Sequence, residues 1–442
     1  MAKIVGRIAI VLLSAGACAA CSGTNGGEGD AATPSDTEEF TSPLDTDSWP
    51  RELPDGGVEA DEPECSHLGE WEWTEIPVGA DCGFGCTQLT FSEEYLEYDM
   101  WDVSERYAVY KPHSGAIHVI DLQEMRDLEV PPPVEGVVYE DYDAWAHYPT
   151  VYEDEIVYGF KLYEGWPEFK ALYLVDATNL CQTALYVDEA QQGEHQEPFY
   201  YGDLRGSLYV ASTNIDGIFS DDVNDWYNTP FDIAAFDLRF PFAGMSALVE
   251  DLPQFGFAAP QLAEDDVVWM WFSETGPWMD IVRYDMVTHE TSALDTGAEW
   301  MSNMAVWEDS VVYTVMPNAS GWTPEYGFDD WSGADIWLYD LGADTVENLT
   351  DDEFVQVEPD IQGRRVAYFD YSASSDPLGP HPLDGGDIYV LDLDAGVTTR
   401  ASFLPDRYKG MVELSGDRVF FIMFDELGLE QLYMIDLDAV GA

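Results

Sequence analysis

Short apolar runs that end in aspartate recur along the chain and predict strands. Each run has Ile or Leu, two variable residues, an apolar or aromatic residue, and then Asp. The seven occurrences are Ile117–Asp121, Leu172–Asp176, Ile233–Asp237, Ile281–Asp285, Ile336–Asp340, Ile388–Asp392 and Leu432–Asp436. The aspartates lie 44 to 61 residues apart, a spacing typical of one four-stranded blade per repeat. The pattern therefore predicts an all-β chain built from seven units.

A second apolar run precedes several of these strands. Examples are Val267–Trp271, Val311–Tyr313, Val366–Tyr368 and Val419–Phe421. Runs without polar alternation indicate strands buried on both faces, as in blades that stack around an axis. We expect the Asp that ends each repeat strand to accept hydrogen bonds from the following backbone amides in an Asx turn. Its role is then structural, and we do not assign these aspartates to ligand binding.

The two ends of the repeat region complement each other. The last repeat stops at Gly441 and Ala442, after its third strand, whereas Cys86–Phe91 resembles the fourth strand of the fifth repeat, Glu347–Asp351. The early strand can complete the last blade, which removes exposed sheet edges. We predict a seven-bladed β-propeller over residues 65–442, closed by an N-terminal strand within residues 65–91 that completes the last blade.

The N-terminus has the pattern of a targeting segment. Lys3 and Arg7 precede a short apolar run, Ile8–Leu13, which is too short to span a bilayer. Residues 1–20 are typical of a cleaved secretory signal, and the small residues before Cys18 resemble a bacterial lipobox. We expect lipidation of Cys18, with Cys21 as the alternative site and a plain secretory signal as the alternative interpretation. The expected location is the bacterial cell envelope, with the outer membrane favoured and the membrane contacted through the lipid.

Residues 21–64 are rich in Gly, Pro, Asp, Glu and Thr and show no apolar periodicity. Such a segment cannot bury enough apolar surface to offset its chain entropy, so we expect a disordered acidic tether. Four cysteines follow it: Cys65, Cys82, Cys86 and Cys181. An even number in an exported protein favours two disulfides, whose pairing stays open.

The charge balance excludes one class of partner. The chain has 87 Asp and Glu against 17 Lys and Arg, a formal net charge of −70. Binding to nucleic acid needs a basic face that neutralises phosphates, so we expect no nucleic-acid partner. The acids are interleaved with apolar residues, which indicates a solvated acidic surface adapted to a salty medium, or alternatively a surface for cation binding.

Three features resemble the repeats of TolB-like propellers over residues 84–442. They are the turn Ser415–Val419, the strand Asp387–Asp392 and the Leu-Thr strand ends. Similar blades occur in the propellers of prolyl oligopeptidases. The resemblance implies the blade architecture and says little about function. The N-terminal α/β domain found in TolB has no counterpart before residue 84, and the Gly-x-Ser-x-Gly elbow of the peptidases is absent.

No catalytic motif stands out, and we predict no catalytic residue. The histidines are scattered singly; His147, His195 and His381 could form a metal site only if the blades bring them together, as in the related propeller of oligogalacturonate lyases. We expect no cofactor, with Ca²⁺ as the one ion that the exposed carboxylates could bind.

The loops between second and third strands carry the candidate ligand-binding residues. In a propeller these loops share one face, where aromatic side chains beside carboxylates suit sugars or cationic peptides. The candidates are Trp226, Trp278, Trp322, Tyr326, Asp329, Asp330 and Trp331. The sequence thus favours a monomeric, non-enzymatic binding or scaffold lipoprotein that engages a protein or glycan. The alternative is a propeller enzyme of the polysaccharide lyase or hydrolase type, with a metal or carboxylates in the channel.

Overall fold

The computed structural model describes most of the repeat region. The described residues are 73–76, 81–83, 85–91, 96–113, 116–133, 144–162, 169–189, 199–213, 231–239, 245–252, 259–272, 279–298, 300–320, 322–323, 327–328, 330–374, 377, 386–403, 409–425 and 428–441. The expected signal segment and tether lie outside these residues. No helix within the described ranges is long and apolar enough to cross a membrane.

The described chain is almost entirely β-structure. Its first half contains β1 (Trp73–Glu75), β2 (Asp81–Gly83), β3 (Cys86–Gln88), β4 (Leu96–Val103), β5 (Tyr107–Pro112), β6 (His118–Asp121), β7 (Arg126–Glu129), β8 (Ala144–Tyr152), β9 (Glu155–Leu162), β10 (Phe169–Asp176), β11 (Cys181–Glu189), β12 (Phe199–Arg205), β13 (Leu208–Thr213), β14 (Phe231–Asp237) and β15 (Ser246–Leu252). Its second half contains β16 (Gln261–Leu262), β17 (Asp266–Phe272), β18 (Met279–Asp285), β19 (Glu290–Ala293), β20 (Met301–Trp307), β21 (Ser310–Val315), β22 (Trp322–Thr323), β23 (Gly327–Phe328), β24 (Asp335–Asp340), β25 (Thr345–Asn348), β26 (Gln356–Gln362), β27 (Arg365–Asp370), β28 (Asp387–Asp392), β29 (Val397–Arg400), β30 (Lys409–Ser415), β31 (Arg418–Phe424), β32 (Glu430–Asp436) and the short helix α1 (Leu437–Val440).

Seven antiparallel sheets form the blades of a propeller, as predicted. Blades 1 to 3 contain β4–β7, β8–β11 and β12–β15, and blades 4 to 6 contain β16–β19, the set β20, β21, β24 and β25, and β26–β29. Blade 7 contains β30–β32 and β3, and β22 pairs with β23 in a small separate hairpin. The first strand of each blade packs beside the first strand of the next, and β30 returns to β4 to complete the ring.

An N-terminal strand closes the ring, again as predicted. β3 pairs with β32 in a register that places Thr87 opposite Met434. The Thr90 hydroxyl donates to Gln431 Oε1 at 2.8 Å and accepts from the Leu432 N–H at 2.9 Å. Two further strands extend the outer edges: β1 pairs with β7 in blade 1, and β2 pairs with β3 in blade 7. These additions cover edges that would otherwise be open to pairing.

The second strands and the turn aspartates also follow the sequence pattern. Strand β5 is buried along its whole length, and β21 and β31 are buried over five consecutive residues, which fits strands packed on both faces. All seven repeat aspartates accept hydrogen bonds from backbone amides just downstream, as expected for Asx turns. In blade 7 this aspartate, Asp436, also serves as the N-cap of α1.

Candidate functional site

The loop residues proposed as ligand contacts fall largely outside the described part of the chain. Four of the candidates lie outside the described residues: Trp226, Trp278, Tyr326 and Asp329. For Trp322 the structure describes only the backbone, which forms part of β22. The Asp330 carboxylate accepts the Ser332 N–H at 2.9 Å. The partly buried Trp331 packs against the apolar core that joins blades 4 to 7. The binding role of these residues stays a prediction.

The weak metal site of His147, His195 and His381 stays a prediction, because only His147 lies within the described residues. His147 is buried in β8, and its ring lies so close to Gly159 that a Cβ there would come within 2.4 Å of it. His195 and His381 lie outside the described residues. Within the described ranges, no group of three or more His, Cys, Asp or Glu residues could hold a metal ion.

The cysteines give a partial picture. Cys86 and Cys181 are each disulfide-bonded. Cys82 lies in β2 without a described side chain, and Cys65 and the lipidation candidates Cys18 and Cys21 lie outside the described residues. The pairing of the disulfides therefore stays a prediction.

A different set of residues converges at the centre of the ring. One position on the first strand of every blade pairs with a buried residue seven positions later on the second strand. The seven equivalent residues are Asp102, Thr150, Asp203, Gln261, Ala305, Asp360 and Glu413. First strands border the central channel of a propeller, so these residues form one layer around it. Four of the seven are acids, and we call those four the channel acids.

A recurrent irregularity in the backbone precedes this layer in several blades. A register shift interrupts the pairing of the first strand just before this layer in blades 3, 6 and 7. In the same blades the residue two positions before the acid has a left-handed backbone: Tyr201 (φ 38°), Glu358 (φ 52°) and Met411 (φ 49°). The same conformation precedes Thr150 and Ala305, at Tyr148 (φ 46°) and Asn303 (φ 45°), so the bulge is a feature of the blades and is not specific to the acids.

Three channel acids also bind the neighbouring blade. Asp102 Oδ2 accepts from the Val151 N–H at 2.7 Å and from the Thr150 hydroxyl at 2.6 Å. Asp203 Oδ2 accepts the Leu262 N–H at 2.6 Å, and Asp360 Oδ2 accepts the Leu414 N–H at 2.5 Å. Each acid thereby joins its own blade to the next one around the ring.

The fourth acid, Glu413, completes a pair of carboxyl groups. Its side chain is hydrogen-bonded to that of Asp102 across the junction of blades 7 and 1. Burial, followed by the charges of Asp102 and Asp360, raises the pKa of Glu413 well above its usual range. Burial likewise raises the pKa of Asp102 to about 7. The two raised pKa values favour the arrangement in which Glu413 carries the proton and donates it to Asp102.

The charge of a guanidinium group acts on the other two acids. Burial raises the pKa of Asp360 to about 6 and also raises that of Asp203, while the charge of Arg205 lowers both. Arg205 extends past the short first strand of blade 4 and donates to Val306 O of blade 5 at 3.1 Å. Its guanidinium also stacks on the ring of Trp307, 4.9 Å from the centroid. The four acids keep partial solvent exposure, so water reaches this deep site.

Paired carboxyl groups whose pKa values lie near neutrality can act as a general acid and a general base. This arrangement was not predicted from the sequence, because the candidate residues were taken from the loops and the histidines. The sequence feature that could have located it is the spacing of seven residues along the chain between each acid and its paired buried residue on the second strand.

The propeller fold is shared with several solved peptidase structures. Pyrococcus horikoshii acylaminoacyl peptidase matches at a TM-score of 0.52 with 13% identity, covering 77% of this chain and 51% of that one. A structure of two prolyl endopeptidases matches at 0.53 with 10% identity, covering 78% and 48%. This chain thus spans about half the length of those peptidases. No family model and no curated protein matches the chain.

A third match is a propeller alone. The β-propeller domain of the Trilobed protease from Pyrococcus furiosus matches at a TM-score of 0.51 with 11% identity, covering 78% of this chain and 96% of that one. That domain is described as having an open velcro topology, whereas β3 closes the ring here. At these identities the matches establish the seven-bladed fold.

The interpretation as a non-enzymatic binding or scaffold protein is wrong. The finding that corrects it is that the similar structures are propellers that belong to peptidases. The error arose because the repeat motifs specify the blade and carry no information about the residues that line the channel. The enzymatic alternative requires carboxylates in the channel, and the channel acids are such groups.

Proposed function

We propose that the protein is a propeller enzyme of the hydrolase type that uses the Asp102–Glu413 pair for general acid–base catalysis. The observation that carries the proposal is the hydrogen bond between these two carboxyl groups inside a partly solvated channel. The Val151 N–H and the Thr150 hydroxyl hold Asp102 in place, so the pair has a fixed orientation. Fixed orientation is what general acid–base catalysis requires.

The chemistry follows from the two protonation states. The ionised Asp102 accepts a proton from a water molecule, whose oxygen then forms a bond to the electrophilic carbon of the substrate. The protonated Glu413 donates its proton to the leaving group as the bond to that group breaks. Asp102 then holds the proton taken from water and can return it to Glu413 through their hydrogen bond. Because the pKa of Asp102 is about 7, its ionised and its protonated forms are both populated near neutral pH.

Peptides are the proposed substrate class. The support is that the similar propellers belong to an acylaminoacyl peptidase, prolyl endopeptidases and a protease. The acidic channel further favours substrates with a positive charge, because a ring of carboxylates attracts cations along the approach path. Polysaccharides, the other substrate class considered from the sequence, serve as the competing arm of the test.

The experiment compares cleavage by the purified full-length protein and by Glu413→Gln. We expect cleavage of a library of basic fluorogenic peptides, and we expect Glu413→Gln to slow it on the order of 100-fold or more, since general acid catalysis contributes at least that much. The matched control is Glu347→Gln on the exposed edge of β25, which should cleave at the normal rate. Wild-type rates in Glu413→Gln, or cleavage of glycosides but of no peptide, would contradict the proposal.

The location is proposed on the sequence alone. A charged N-terminus, the apolar run and the small residues before Cys18 support export followed by lipid anchoring of a TolB-like lipoprotein to the cell envelope. Radiolabelled palmitate should then be incorporated by the wild type and lost in Cys18→Ser or, for the alternative site, in Cys21→Ser. Labelling that survives in both variants would count against the anchor.

A further inference from the structure

Blade 7 carries a short hairpin at its outer edge. Strand β3 pairs with β32 and completes the blade, and β2 pairs with β3 on the side away from β32. Gly85, just before β3, has a left-handed backbone (φ 76°). A Cβ at this position would lie 2.9 Å from the Ala439 Cβ of α1, so glycine allows the hairpin to pack against the C-terminal helix.

The register of this hairpin places two cysteine positions opposite each other. Asp81 pairs with Thr87, and Gly83 pairs with Cys86. Strand β2 thus has one residue more than β3 over this interval, and in such a bulge two residues, here Cys82 and Gly83, oppose a single one. Opposed Cα atoms of antiparallel strands are about 4.5–5.5 Å apart, and disulfides join Cα atoms about 4.4–6.8 Å apart. The backbone at positions 82 and 86 therefore suits a disulfide.

The topology excludes a bond between the two cysteines that are known to be bonded. Cys86 and Cys181 are each part of a disulfide. Cys181 begins β11, the outermost strand of blade 2, whereas Cys86 begins β3 in blade 7, and blade 1 packs between these blades. Packed sheets lie about 10 Å apart, and Cα atoms more than about 7 Å apart cannot be bridged. Cys86 and Cys181 therefore belong to different disulfides.

We propose that Cys82 and Cys86 form a disulfide that ties β2 to the strand that closes the ring. The S–S bond of a disulfide donor such as oxidised glutathione breaks, and a new S–S bond forms between the two cysteines. The donor leaves as two thiols, which carry the two protons and two electrons lost by Cys82 and Cys86. The second disulfide then joins Cys181 to a cysteine that lies outside the described residues.

The bond acts at the point where the propeller closes. Cys86 is only 4% exposed, pairs with Ile435 of β32 and packs in the apolar core that joins blades 4 to 7. A cross-link from this anchored residue holds β2 in place over the edge of β3, although β2 has only three residues with which to pair. The proposal concerns ring closure, so it is independent of the proposed hydrolysis.

The experiment maps the disulfides of the purified full-length protein without reduction. Free thiols are blocked with iodoacetamide, and the protein is digested with pepsin in acid, where the thiolates that could exchange are protonated. Pepsin cleaves beside aromatic residues, and Phe84 separates Cys82 from Cys86, so cleavage there leaves them on different peptides. Mass spectrometry should find these two peptides joined until a reductant releases them, and the peptide of Cys181 joined to neither.

Two cysteine variants provide the comparison. Cys82→Ser should leave Cys86 as a free thiol that takes up iodoacetamide, whereas Cys181→Ser should keep the Cys82–Cys86 bond. Amide hydrogen exchange in β2 and β3 should be faster in Cys82→Ser than in the wild type, on the order of tenfold, because the bond restricts local opening of the hairpin. Exchange in these strands of Cys181→Ser should match the wild type. If a variant does not fold, the map of the wild type decides alone.

The contrary outcomes are specific. A peptide that joins Cys86 to Cys65 or to Cys181 would overturn the proposal, and so would an unreduced wild type in which Cys82 and Cys86 both take up iodoacetamide. Equal exchange rates in β2 and β3 of the wild type and of folded Cys82→Ser would also contradict it.

Discussion

The same side chain behaves in opposite ways at the turns and in the channel. Asp285 accepts the Val287 and Thr288 amides at a turn, and these hydrogen bonds lower its pKa. Asp102 also accepts a backbone amide and a hydroxyl, yet burial raises its pKa to about 7. The number of hydrogen bonds is similar, so solvation decides which way the pKa moves. An ionised acid at a turn stabilises the blade, whereas an ionised acid in the channel lowers the stability of the fold because it is buried.

The largest expected effect is on the pH dependence of stability. A raised carboxyl pKa favours folding at low pH, and this contribution is lost as the pH rises from the unfolded value, 3.8, to about 7 for Asp102. For Asp102 alone the loss amounts to as much as about 4 kcal/mol. The double variant Asp102→Asn with Glu413→Gln should therefore gain stability relative to the wild type between about pH 4 and pH 8.

Urea unfolding at several pH values measures this difference. The acidic surface as a whole also makes the wild type less stable at high pH, and the variant retains that contribution. Only the difference between the two proteins reports on the channel. If the free energies of unfolding of the two proteins change in parallel with pH, the pKa values of the channel acids are not raised. The channel acids would then not differ from the turn acids.

A smaller effect is expected at a turn. The Asp392 carboxylate accepts the Asp394 and Ala395 amides, each at 2.9 Å. Asp392→Ala removes both bonds and should lower the free energy of unfolding by about 1 kcal/mol. Asp392→Asn keeps an acceptor oxygen, so it should stay within about 0.5 kcal/mol of the wild type. Thermal unfolding of both variants tests whether hydrogen bonding, as opposed to charge, is what the turn needs.

The smallest expected effect is the contribution of Asp285 to the free energy of unfolding, which depends on pH in the opposite direction to that of Asp102. Because the pKa of Asp285 is lowered, its contribution to stability is present above 3.8 and is lost as the pH falls below that value. In Asp285→Asn the free energy of unfolding should therefore fall less steeply as the pH is lowered, with a difference from the wild type of less than about 1 kcal/mol. A loss of stability in this variant at low pH that equals or exceeds the loss at about pH 8 would show that the turn and channel acids do not differ as described.

Much of the fold was accessible from the sequence because the turn residues are local. An Asx turn needs an acceptor within three residues of its amides, so the same Asp recurs in all seven blades and marks their spacing. The strand Cys86–Gln88 could be assigned to the last blade because sheets avoid free edges. The added strands β1 and β2 were not foreseen, since three-residue strands carry too little periodicity to detect.

The candidate site was harder to predict because the residues that form it are far apart in the sequence. Equivalent positions in the channel hold Asp, Thr, Gln, Ala and Glu, so no motif repeats there. What recurs is the geometry, namely a bulge and a fixed distance to the second strand. The pKa of each acid depends on partners from other blades, such as Glu413 for Asp102, and those contacts exist only after the ring has closed.

Ring closure also constrains how the protein is made. Thr90 and Gln431 are separated by 341 residues, so the ribosome releases β3 long before its partner strand exists. Until the last repeat emerges, β3 has an unsatisfied edge, and joining the ends of a loop of that length costs roughly 5 kcal/mol of chain entropy. Assembly of blade 7, and with it the Asp102–Glu413 pair, must therefore be a late event, and a nascent chain truncated before β30 would lack Glu413 and hold only one of the two groups of the pair.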